Sequence, residues 1–111
     1  MNGGGGVDVF VLTATGVSRD VIAGFMAVND TLEVSAAVFG GGLVAATPLL
    51  ARQLVINATG LAGYGDDRFI LNTTNGQLTF DTNGDLAGGA TIIATFTGAI
   101  PPLTEADFAI V

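Results

Sequence analysis

Apolar residues along this chain fall in short runs, and the spacing inside each run favours strands over helices. In "VDVFVLTATG" Val7, Val9 and Val11 alternate with Asp8, Phe10 and Leu12, the period-2 signature of a strand. "DVIAGFMAVNDTLEVS" follows a turn at Gly16 and Ser18. Its second half sets Thr31, Glu33 and Ser35 against Leu32 and Val34, which predicts a half-buried strand after the "NDT" turn. "FGGGL" at 39–43 reads as a loop. "ATPLLARQ" at 46–53 predicts a short helix near 47–53, with Thr47 at the N-cap and Pro48 at the first helical position. "LVIN" at 54–57 reads as a strand and "ATGLAGYGDD" at 58–67 as a loop. Asn75-Gly76 lies between two β-rich runs and predicts a type I′ hairpin joining strands near 68–73 and 77–82. A second Asn-Gly at 83–84 leads to a third strand near 90–97. After Pro101 and Pro102 the chain closes on "ADFAIV", an apolar strip that reads as a last strand.

The elements add up to a single all-β domain over 1–111: an antiparallel sandwich or meander with at most one short helix near 47–53. The 111 residues fit one domain, and with half of them apolar the chain can bury a core. No apolar run approaches the roughly 18 residues of a membrane span, so no membrane insertion is expected. No basic, apolar leader opens the sequence.

Charge narrows the chemistry. Ten carboxylates face three arginines, a net charge of −7, and lysine, histidine, cysteine and tryptophan are absent. An acidic chain cannot neutralise phosphates, which argues against nucleic acid. Without histidine and cysteine, zinc and redox sites lose their usual ligands. Without histidine, lysine or a thiol, so do general-base and covalent mechanisms. Paired acids such as Asp66 and Asp67 would leave only a carboxylate-based hydrolase, but the seven Phe and one Tyr sit mostly in core-like positions rather than lining a cleft. The chain is therefore expected to be non-enzymatic. What the carboxylates do suit is a hard cation with oxygen ligands, Ca²⁺ above all.

Four glycines precede Asp8. A phosphate loop would need a strand before them, a helix after them and a lysine, none of which is predicted. Residues 3–11 instead match the nonapeptide G-G-x-G-x-D-x-U-x of parallel β-rolls, with Gly3, Gly4, Gly6, Asp8 and the apolar Phe10 on every specified position. Glycines allow the tight turn and aim carbonyls at an ion, Asp8 adds a charged oxygen, and Phe10 turns into the roll.

Further ligand candidates are Asp20 and Asp30, which flank the second strand region, and Asp81, Asn83 and Asp85. The last three have alternate spacing like a calcium loop, but Leu86 and Ile92 replace the glycine and bidentate glutamate of an EF-hand. A polar hairpin loop held by Asx turns is the other reading of that stretch. Asp66 and Asp67 beside Arg68 read as a loop cap or ion pair. The three N-x-T triplets at Asn29, Asn57 and Asn72 are what chance gives in an Asn- and Thr-rich β chain.

Beyond the nonapeptide, three phrases carry a resemblance. They are D-x-I-x-x-F at Asp20, Ile22 and Phe25, N-D-x-L-x-V-S at 29–35, and D-D-R-x-x-x-N…G-x-L-x-x-D at 66–81. With the terminal "ADFAIV" they make the chain resemble, over nearly its whole length, the C-terminal module of RTX (hemolysin-type calcium-binding) proteins, as in serralysin-like proteases. The resemblance implies that 1–12 is the last turn of a calcium β-roll. It implies export by type I secretion machinery through an uncleaved C-terminal signal, residues 106–111 being the tail concerned. It also implies folding outside the cell, where Ca²⁺ is plentiful. Gly24 stands where the family carries an aspartate, so one ligand is missing there. A single roll turn supplies half a calcium site. Upstream turns, or another copy of the chain as in an extracellular fibre or surface layer, would supply the rest; otherwise that site stays empty.

Overall fold

The computed structural model describes residues 9–12, 20–26, 30–40, 42–84, 90–98, 100 and 102–111. Among the described residues eight strands form two sheets: β1 (Val9–Leu12), β2 (Asp20–Ala23), β3 (Thr31–Val34), β4 (Leu54–Asn57), β5 (Phe69–Asn72), β6 (Gln77–Asp81), β7 (Ala90–Thr97) and β8 (Phe108–Ile110). The chain is all-β, as its periodicity predicts. A three-stranded sheet runs β1-β3-β8 and a five-stranded sheet runs β2-β7-β6-β5-β4.

Pairing is less antiparallel than the sequence suggests. Only β5–β6 and β6–β7 are antiparallel; the β1–β3, β3–β8, β2–β7 and β4–β5 pairs are all parallel. The meander read from the two Asn-Gly pairs is therefore real but covers three strands. Parallel partners are distant in sequence and leave no turn signature between them. β1, β2 and β3 alternate between the sheets. The chain leaves the small sheet at Leu12, crosses to the large one, and returns so that Val9 pairs with Thr31 and Leu12 with Val34. That path is one winding of a roll. β1 and β3 each show one face to solvent and one to the core, with Phe10, Leu12, Leu32 and Val34 buried.

The helix expected near 47–53 is corrected. Only Ala51–Gln53 form a 3-10 turn there, and the one α-helix among the described residues, α1, is Ala36–Phe39. Ser35 caps α1 by accepting from the Val38 amide at 3.3 Å. Thr47 instead donates its hydroxyl to the Val44 carbonyl at 2.6 Å, and Pro48 forms a bridge to Ala109. Tertiary pairing with the last strand overrides the local Thr-Pro signal. The hairpin turn also differs from type I′. Four residues, 73–76, separate β5 from β6, and of Asn75 and Gly76 only Gly76 has a positive φ, +75°.

All seven phenylalanines join two ring clusters that tie sheet to sheet. Phe25 sits between Phe10 and Phe96, at 5.5 and 5.6 Å between centroids. Phe69 touches Phe80 at 5.0 Å and Phe108 at 4.8 Å, and Phe39 of α1 stacks on Phe80 at 5.2 Å. These distances lie in the favourable range for aromatic pairs. The D-x-I-x-x-F phrase thus does core work: Ile22 is fully buried and Phe25 bridges the sheets.

Candidate functional site

The calcium candidates do not fall in one place. Gly3, Gly4, Gly6, Asp8 and Asp85 lie outside the described residues, as does the side chain of Asp20, the first residue of β2. Asp30 immediately precedes β3 in the small sheet, and Asp81 ends β6 in the large one. Both are buried, at 3% and 5% exposure. Asp30 Oδ2 accepts from the Met26 amide at 2.9 Å, and its own amide returns a bond to the Met26 carbonyl at 2.8 Å. Asp81 Oδ1 accepts from the Asn83 amide at 3.0 Å, the Asx turn weighed as the alternative for that loop. Among the described residues no group of three or more acidic side chains is placed to hold a metal ion.

What the buried carboxylates do is close turns. Asp67, 2% exposed, accepts from the amides of Gly63 and Tyr64 at 2.7 and 2.9 Å through one oxygen. Asp107, 7% exposed, accepts from the Thr104 amide at 2.8 Å. With Asp30 this makes the same device three times. A carboxylate just ahead of a buried strand collects amides from three or four residues upstream, and the strand then runs into the core. Asp67 matches the loop cap expected of it, whereas Asp107 had no role in the sequence reading. The signal was present as Asp followed within two positions by a buried aromatic or leucine, in "DTL", "DRF" and "DF".

The loop at 63–67 also draws in two of the three arginines. Arg52 Nε lies 3.5 Å from Asp66 with both side chains about two-thirds exposed, so this pair adds little stability. Arg68 Nη1 donates to the carbonyls of Gly65 and Asp67 at 2.7 and 2.9 Å. The loop packs against the next turn so closely that a Cβ on Gly84 would fall 2.4 Å from the Gly65 oxygen. Asp67→Ala leaves two partly buried amides without their carboxylate. It should lower stability by about 1–3 kcal/mol in a urea melt, and Asp67→Asn by less.

Two of the three N-x-T triplets prove to be structural. Asn57 and Asn72 are register partners on parallel β4 and β5. Asn57 Oδ1 accepts from the amides of Thr59 and Gly60, and Asn72 Oδ1 from Thr74. Thr74 Oγ1 then reaches the Ala58 carbonyl at 2.9 Å. "LVINAT" and "FILNTT" are therefore one repeated phrase stacked on itself, a repeat visible in the sequence as the shared apolar run ending in N-x-T. The third triplet begins at Asn29, outside the described residues.

Among the described residues no helix is long and apolar enough to cross a membrane. No protein family, curated protein or solved structure matches the chain.

Proposed function

We propose that this chain is a non-enzymatic, extracellular calcium-supported folding module, with residues 106–111 serving its export by type I secretion machinery. The observation that carries the reading is the winding of β1, β2 and β3. The nonapeptide runs directly into β1, Phe10 is 3% exposed where the repeat asks for an inward apolar residue, and the chain comes back parallel to itself one turn later. That is the geometry in which a glycine-rich turn at residues 3–8 would present its carbonyls and the Asp8 carboxylate to an ion between successive turns. An ion bound only by the folded chain stabilises it by RT ln(1 + [Ca²⁺]/Kd). With Kd on the order of 10⁻⁴–10⁻³ M, the cytosol leaves such a site empty and the medium fills it.

A second reading, a subunit of an extracellular fibre or surface layer, is favoured by one feature of the large sheet. Among the described residues β4 pairs on one side only, and Leu50, Ile56 and Leu61 beside it are exposed. Edge strands of this kind accept further strands. A calcium titration followed by circular dichroism and light scattering separates the two. A folding module gains ordered β signal at constant mass. A fibre subunit gains mass with calcium, and Asp8→Ala abolishes that gain. No response in either signal removes calcium from both readings.

A further inference from the structure

The last strand sits in a slot with one strong wall and one weak one. On its inner side β8 lies parallel to β3 with Leu32, Glu33 and Val34 opposite Phe108, Ala109 and Ile110. The Val111 amide continues that side to the Val34 carbonyl at 2.9 Å, and the Val111 carbonyl accepts from Ala36 at 2.8 Å. On the outer side the cover is the strap 44–48, joined at the Pro48–Ala109 bridge and by the Ala46 amide on the Ile110 carbonyl at 2.9 Å. Ala46, the other contact, is held at φ +62°, and it is the one non-glycine among the described residues in the left-handed region. That conformation costs roughly 1–2 kcal/mol for a residue with a Cβ. An open, mostly apolar surface groove of about 260 Å³ runs along the strap, lined by Leu43, Val44, Pro48, Leu50 and Ile110. A three-residue strand whose pairing partners stand 76 positions apart in the chain (Leu32 and Phe108), covered by a strap with a strained residue beside an open groove, has the marks of a low-stability unit.

We infer that β8 is a reversibly seated strand: the 44–48 strap and residues 108–111 open together from a sandwich whose large sheet stays folded. The tail then reaches solvent, or another protein's sheet edge, without global unfolding. Its use in export rests on the reading proposed above; the opening itself does not, and it needs no calcium.

Native-state amide exchange of the full chain in rising urea tests it. The amides of Ala36, Ala46 and Val111 are expected to exchange together, at least about tenfold faster than those of Asp81 and Phe96, whose bonds to Arg68 and Gly76 lie in the large sheet. They should also show a shallower urea dependence. Ile70→Val, a conservative change in β5, should speed Asp81 and Phe96 by about fivefold while leaving the first three unchanged. Those three open from a state in which β5 is still folded. Ala46→Val, which worsens the strained φ, should speed the first three. Exchange of all five amides at one rate with one urea slope overturns the inference, as does an equal response of all five to Ile70→Val. A loss of export in a chain that exchanges as described would instead count against the export reading alone.

Discussion

Phe69→Ala should cost about 3–5 kcal/mol and lower the melting temperature on the order of 15–25 °C. The side chain is fully buried, and its ring is the meeting point of the larger aromatic cluster, against Phe80 of the same sheet, Phe108 of the other sheet and Phe39 of α1. The backbone cannot close the resulting cavity easily, because β5 is held between β4 and β6 in fixed register. Losing Phe69 also removes the support under Phe108, so the amide protection of Val111 should fall with it. Thermal denaturation followed by circular dichroism measures the first effect. A loss below about 1 kcal/mol would mean that the two sheets do not rely on this cluster.

Gly84→Ala is expected to be nearly as damaging, about 2–4 kcal/mol, although it adds a single methyl group. Gly84 has φ +71°, and its Cβ would lie 2.4 Å from the Gly65 oxygen and 2.6 Å from the Gly65 carbon and Cα. No rotamer change relieves a clash with backbone, so one of the two turns must move, and the Gly65 carbonyl is the acceptor for Arg68. Strain of the left-handed residue and overpacking then add. Gly98→Ala is the internal control: φ is +77° there too, but nothing lies within 4 Å of the added carbon. It should cost only about 1–2 kcal/mol. Equal losses at the two positions would show that the contact between the turns carries no energy.

Local features were legible wherever a residue's neighbours in sequence are also its neighbours in space. "LVIN" and the strand at 90–97 emerge with the bounds their composition suggests, and the runs on either side of Asn75-Gly76 pair antiparallel as expected, though through a four-residue connection rather than a two-residue type I′ turn. Alternation in "TLEV" gave the buried face, Leu32 and Val34, whereas in the wholly apolar "VFVL" only the nonapeptide match pointed Phe10 inward. The failures share a cause. Thr47-Pro48 has the local chemistry of a helix start, yet the C-terminal strand, some 60 residues on, claims that segment as its cover. Parallel pairing was invisible because its partners are joined by long connections rather than turns. At the site, the sequence shows the charge of Asp30 and Asp81 but not the Met26 and Asn83 amides that donate to them.

The central claim is that the glycine-rich turn ahead of β1 binds calcium and that this binding supports the fold. The most direct measurement is the melting temperature of the chain and of Asp8→Ala, each in about 1 mM Ca²⁺ and in chelator. For a Kd near 10⁻⁴ M the linkage relation gives about 1.4 kcal/mol, a rise on the order of 5–10 °C. The account predicts that rise for the unaltered chain and its loss in Asp8→Ala. A melting temperature indifferent to calcium, or an equal rise in both proteins, would contradict it.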